Sequence, residues 1–316
     1  MRPKDRDLYN KLNSQLFEFE KNKFSLPGIK NKYTRDTFIK QIIDSIRRVQ
    51  YVFTICRRDI NPDRADPTSE YFDPLKAAIL FKRNDMPDEA FWLAFLSIHF
   101  GKNIKTGWHL VRDIYGGLGN TDHWTWDRTS SNPKLFKQWL ADNYITLTTD
   151  GIPRYFGNHR KYETLNPESN SNTGAVIESY VNWIKPAESH TQFIQEYINN
   201  FGNDARVLFD ELYKSMNIVK RFGRTAKFDY LTMVAKLGLV NIEPGLTYMR
   251  NSTGPIRGAR LLFGGNINSN ISYNSLEENL VQLESKLSLG NIGMQVLEDA
   301  LCNWQKNPSR YILFHG

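Results

Sequence analysis

Cysteine is almost absent from this chain: Cys56 and Cys302 are the only two among 316 residues. Neither belongs to a CxxC pair, so the thiols do not supply a disulfide framework or a zinc ribbon, and their scarcity points to a reduced, cytoplasmic protein. Long hydrophobic runs are lacking as well. The longest, FWLAFLSIHF (91–100), is interrupted by Ser97 and His99 and is too short to cross a bilayer. The opening MRPKDRDLYN carries no apolar signal-peptide core. No membrane partner is expected. Phosphate and metal signatures are missing too: there is no GxxxxGK[ST], no GxGxxG, no HExxH, no HxE…CxxC and no GxSxG elbow. Six histidines are scattered, so no metal set and no cofactor are expected. Strand signals are scarce. The best is YITLTT (144–149), read as one arm of a short hairpin with IPRYF (152–156).

What remains is a basic, aromatic-rich, helical chain. Lys and Arg outnumber Asp and Glu by 41 to 34, a net charge of +7, and the aromatics number 19 Phe, 15 Tyr and 7 Trp. The length supports a sizeable core, and the charge favours a polyanionic partner such as nucleic acid or a phosphorylated substrate. Phe38, Ile42, Ile46, Val49 and Phe53 recur at helical spacing, as do Leu276, Leu280, Leu283 and Leu287. Helix starts are written at Asp73-Pro74, Pro87-Asp88-Glu89, Asn132-Pro133 and Ser189…Gln192, and a stop at Gly101. The expected fold is mainly α. Residues 1–30 read as an extension, 31–264 as a helical core, 265–274 as a Gly/Asn/Ser linker, and 275–316 as a helical tail packed on the core.

Four segments combine glycine, cations and aromatics. FGNHRKYE (156–163) sets Asn158, His159, Arg160, Lys161, Tyr162 and Glu163 behind a glycine. Arginine forks, lysine point charges and a titrating histidine suit a phosphate- or base-binding loop; the alternative is a solvated basic loop. In KRFGRTAKFDYLTM (220–233), Gly223 would open a helix whose N–H groups attract an anion. Arg224 and Lys227 share one face and Asp229 points elsewhere, with Thr225 as an ordinary cap in the plainer reading. IEPGLTYMRNSTGPIRGARLLFGG (242–265) mixes glycines with Arg250, Arg257 and Arg260, a pattern able to hold a DNA phosphate through backbone N–H groups. In FLSIHFGKNIKTGWHLVRDIYGGLG (95–119), His99 reads as a core histidine, while Lys102, His109 and Arg112 are placed to line a cleft. HWTWD (123–127) offers either stacking surfaces or core packing.

These segments, together with DSIRRVQYVFTI, DPTSEYFDPLKAA, DEAFWLAFLSIHFGK and LEDALCNWQK, resemble the alpha-glutamyl/putrescinyl thymine pyrophosphorylase family, third clade, over about residues 35–305. Related phage proteins are called amino-acid:DNA transferases. The resemblance implies a helical fold similar to helix-hairpin-helix DNA glycosylases, although GPIRGARLLF lacks a clean GxG turn. It also implies a setting in a bacterial or phage-infected cell, with DNA carrying a phosphorylated hydroxymethyluracil as substrate and an upstream DNA-base kinase as pathway partner. An amino acid or polyamine would displace the phosphate or diphosphate. Residue chemistry then distributes the roles. His159, Arg160, Lys161, Arg224 and Lys227 are of the types that stabilise a leaving phosphate. Asp229, Glu243 and His159 are candidate general bases. Asn158, Tyr162, Trp108, His109, Arg112, Arg257 and Arg260 are candidate DNA contacts, with Tyr162 or Trp108 stacking on an extruded base. A base-excising glycosylase and a non-catalytic reader of modified DNA are the competing readings.

Overall fold

The computed structural model describes residues 3–313. It is built from helices, with no strand among the described residues. In chain order the α-helices are α1 (Arg6–Asn22), α2 (Lys32–Ile55), α3 (Pro74–Arg83), α4 (Pro87–Phe100), α5 (His109–Tyr115), α6 (Trp126–Ser131), α7 (Pro133–Asp142), α8 (Tyr144–Thr149), α9 (Thr173–Ile184), α10 (His190–Phe201), α11 (Ala205–Ser215), α12 (Arg224–Lys236), α13 (Gly254–Gly264), α14 (Tyr273–Leu287) and α15 (Gly293–Trp304). The chain forms two compact units: residues 1–54 with 243–316, and residues 55–242.

The first unit joins the two ends of the chain. Leu12, Leu16 and Phe19 of α1 are buried in one core with Phe38, Ile42, Ile46 and Val49 of α2 and with Leu276, Leu280, Leu283 and Leu287 of α14. The stripes read from the sequence are therefore the buried faces. Glycine works here by close approach. A Cβ on Gly258 would lie 2.4 Å from the Leu301 carbonyl oxygen, so α13 can cross α15 at this distance only with hydrogen at that position. The buried Glu277 accepts from Thr247 N–H, Thr247 Oγ1 and Met249 N–H at 2.9–3.0 Å, which ties the IEPGLTYM segment to α14.

The second unit is arranged around α4. Ala90 to Leu96 are almost completely buried, because this helix is apolar on every side and must be surrounded. Its Phe95 ring stacks on Tyr180 of α9 at 3.7 Å and on Phe222 at 4.8 Å. The written helix starts are used: Asp73 accepts from Leu75 and Lys76 N–H, Asn132 from Leu135 N–H, and Ser189 from Gln192 N–H. Gly101 stops α4 at φ +65°. The HWTWD aromatics serve the core: Trp124 and Trp126 are both buried.

The expected strand YITLTT is instead helix α8, and IPRYF is irregular. A strand needs an edge to pair with, and the neighbouring elements are helices. Thr148 and Thr149 turn their hydroxyls back to the carbonyls of Tyr144 and Ile145 at 2.7 Å, satisfying themselves within the helix. Leu147 alone enters the core.

Candidate active site

The FGNHRKYE segment begins where α4 ends. Gly157 N–H donates to Phe100 O at 2.8 Å, and a Cβ on Gly157 would lie 2.7 Å from the carbonyl carbon of Gly101. Two glycine backbones thus pack directly together, which no side chain at position 157 would permit. The chain then makes a short 3-10 turn over Asn158–Arg160. This turn sorts its polar groups. Asn158, His159, Lys161 and Tyr162 are exposed, Tyr162 at 77%. Arg160 is buried. Its Nε donates to Ile98 O at 2.8 Å, and its guanidinium lies 5.6 Å from the Phe222 ring. The other guanidinium N–H groups have no hydrogen-bond partner among the described residues.

Across from Arg160 stands α12. Its N-cap is Gly223, with no capping side chain, and a Cβ built there meets nothing within 4 Å. No side chain caps the first N–H groups of this helix, an arrangement that favours an anion. Arg224, the first residue of α12, holds its guanidinium 5.2 Å from the Phe228 ring.

Asp229 is the centre of this cluster. Its carboxylate has no hydrogen-bond or ion-pair partner among the described residues, and it is densely surrounded while keeping some access to solvent. Burial raises its pKa above the ordinary carboxylate range. Arg160, Lys236, Arg224 and His159, in that order, pull it back down. Burial in turn lowers the Arg160 pKa, opposed by Asp229 and Glu163. The segment and the helix start, distant in sequence, thus share one electrostatic site.

Other predicted residues have other surroundings. Lys227, expected on the Arg224 face, turns to Asn217 Oδ1 at 2.7 Å and sits 4.0 Å from the Tyr213 ring, and burial lowers its pKa. Asp229, expected to point away, is the residue within reach of Arg224. His99 is a neutral core group bonded to Thr173 Oγ1 at 3.1 Å, with burial driving its pKa down to about 3. Arg112 pairs with Asp113 at 2.9 Å, and Arg154 joins Asp113 to Asp150. Trp108 Nε1 and His109 Nδ1 are buried without a hydrogen-bond partner among the described residues. Glu243, Arg257 and Arg260 belong to the first unit: Arg257 is exposed on α13, Arg260 is partly buried, and Glu243 is partly buried in the segment before that helix. Among the described residues no cluster of three or more His, Cys, Asp or Glu side chains could hold a metal ion, and no helix is long and apolar enough to cross a membrane.

Arg221 was not singled out in the sequence, and Glu163 was given no role there. Arg221 donates to Glu163 Oε2 at 3.2 Å and to Tyr162 O at 2.8 Å, clamping the end of the segment to the approach of α12. It does so with φ at +61°, a conformation uncommon for a side-chain-bearing residue. The only signal was its place in the KRFGR run. Beyond the clamp, a cavity of about 530 Å³ is lined by Phe156, Glu163, Thr164 and Leu165, by Leu147 of α8, and by Leu110 of α5. The ends of the segment thus form part of its wall.

The model of the alpha-glutamyl/putrescinyl thymine pyrophosphorylase clade 3 family matches residues 33–316. The chain belongs to this family. No curated protein and no solved structure matches it. The family name ties the chain to thymine modification by a pyrophosphorylase-like enzyme of DNA hypermodification. Every residue of the Asp229 cluster lies within the matched span, whereas α1 lies outside it.

Proposed function

We propose that this protein is a DNA base-hypermodifying transferase. Its substrate is a phosphorylated 5-hydroxymethyluracil in DNA, and an amine, from an amino acid or a polyamine, replaces the phosphate or diphosphate. The observation that carries this reading is the Asp229 carboxylate, without a partner of its own, set among Arg160, Arg224 and His159 beside the uncapped start of α12.

Each group then has a task. The leaving phosphate rests at the α12 N-terminus, where Arg224, Arg160 and His159 oppose its growing charge. The amine must arrive neutral, and Asp229, its pKa raised by burial, takes the proton. The nitrogen lone pair attacks the C5 methylene, the carbon–oxygen bond breaks, and its electron pair leaves on the phosphate oxygen. Tyr162 and Asn158, exposed beside Arg160, meet the extruded base.

The test is nucleoside mass spectrometry after incubating the protein with a duplex carrying the phosphorylated base and a panel of amines. Mass gained by the pyrimidine with release of phosphate supports the reading. An abasic site makes the protein a glycosylase. Tight binding without turnover, unchanged in Asp229→Asn, makes it a reader of modified DNA.

A further inference from the structure

Between α4 and α5 the chain makes a tight projection over residues 101–107. Asn103 and Gly107 exchange both backbone hydrogen bonds, at 3.0 and 2.9 Å. The Asn103 side chain accepts from the N–H groups of Lys105 and Thr106 at 2.8 and 3.2 Å. Thr106 is buried beneath the tip. The projection is therefore rigid, and at its summit stands Ile104, 83% exposed. A turn of this kind accepts a polar residue at no structural cost, so packing does not account for a branched apolar side chain held in water.

Its surroundings are one-signed. Lys102 and Lys105 flank it, both exposed, and residues 101–107 contain no acid. The projection is also fastened to the candidate site. Asn103 Nδ2 donates to Phe156 O at 2.9 Å, and Gly157 N–H to Phe100 O at 2.8 Å. With the backbone contact between Gly101 and Gly157, the tip and the Asn158–Arg160 turn form one body. A protein partner needs a broad apolar patch, whereas a single apolar finger between two lysines fits a polyanion with an apolar interior that can be entered. Duplex DNA has that character: phosphates outside, stacked bases within.

We propose that Ile104 is a wedge that enters the base stack next to the nucleotide being extruded, while Lys102 and Lys105 hold the flanking phosphates. This rests on the reading of DNA as substrate. The wedge fills the space the extruded base leaves and unstacks its neighbour, and the rigid link to the Asn158–Arg160 turn places the vacated position beside Asp229.

The experiment compares Ile104→Ala and Ile104→Leu with the wild type on the phosphorylated base in a duplex and in a single strand. Unstacking costs a few kcal/mol, so Ile104→Ala is expected to slow single turnover on the duplex by about ten-fold or more, to leave the single strand within about two-fold, and to be rescued by Ile104→Leu. A residue this exposed leaves the melting temperature unchanged. Equal loss on both substrates, or no loss on the duplex, overturns the wedge. A 2-aminopurine placed beside the target base gives a readout independent of turnover: its fluorescence should rise when the wild type binds and should not rise with Ile104→Ala. If nothing is turned over but this difference appears, the wedge stands and the transferase reading falls. If the wild type gives no rise, the wedge falls whatever the catalytic result.

Discussion

Helix α12 carries two polar clusters on adjacent residues, and they are built in opposite ways. Tyr230 ends a closed chain. Its hydroxyl donates to the Tyr180 oxygen at 2.7 Å, Tyr180 donates to His190 Nε2 at 2.8 Å, and His190 Nδ1 donates to Asp88 at 2.6 Å. Asp88 also accepts the His190 backbone N–H, the first of α10. Burial lowers the His190 pKa and keeps the ring neutral. Burial alone would raise Asp88, but the bonds from His190 outweigh it and hold the carboxyl below its usual range. Nothing is left for a ligand to complete. Asp229, one residue earlier, has cations within electrostatic reach and no hydrogen bond to any of them. A saturated buried network anchors a fold, whereas an unsaturated one is costly unless something binds there.

The largest expected effect sharpens this contrast. Asp229→Asn should lower turnover by about a thousand-fold, within the range of general-base catalysis, while thermal melting holds or rises because a carboxylate without a partner has been removed. Stopped-flow turnover and calorimetry check the two arms. Retained turnover with a collapsed melting temperature would break the comparison. His190→Leu should do the reverse. It removes the imidazole that joins the buried Tyr180 to the partly exposed Asp88, which keeps only the backbone N–H, so denaturant titration should show a loss of about 2 kcal/mol, with turnover of the folded fraction unchanged.

A third carboxylate lies between these extremes. Glu89 accepts from Tyr115 OH and Trp126 N–H, both at 2.7 Å, yet burial raises its pKa to about 7. Its protonated form is favoured on folding. The associated stability is therefore present below the ordinary carboxylate range and is lost as pH rises through about 7. That loss should be roughly 3 kcal/mol for a rise from 4.5 to about 7, visible in denaturant titrations across this window and flattened in Glu89→Gln.

Smaller effects probe the cations. Arg224→Ala should lower turnover by about ten- to a hundred-fold and DNA affinity by less, since its charge is needed most as phosphate departs; equal losses would make it a simple backbone contact. Arg160→Ala should move the acidic limb of the pH–rate profile upward. Asp229 must be ionised to act, and Arg160 is the strongest group holding its pKa down. A limb that stays in place would detach Arg160 from Asp229.

Much of the helical frame was legible because its signals are local. Asp73, Asn132 and Ser189 accept N–H groups two or three residues ahead, so a short stretch of sequence contains both partners of each bond. The Leu276–Leu287 stripe needs only helical spacing to declare its buried face. YITLTT misled because β-branched residues in alternation fit a pleated surface, and no single segment can report that the surface is absent. Lys227 misled in the same manner. Helical spacing placed it beside Arg224, but the side chain is long enough to choose among neighbours, and Asn217 with Tyr213 won.

The sequence by itself determined the residue types for phosphate chemistry, the helix starts and stops, and the apolar faces that had to be covered, since each follows from neighbours within a few positions. Only the tertiary structure decided that Arg160 turns inward while His159 and Lys161 stay outside, that Arg221 clamps Glu163, and that Asp229 is left without a bond beside a saturated Tyr230. Those outcomes depend on burial and on long-range electrostatics, which act between groups the chain keeps far apart until it folds.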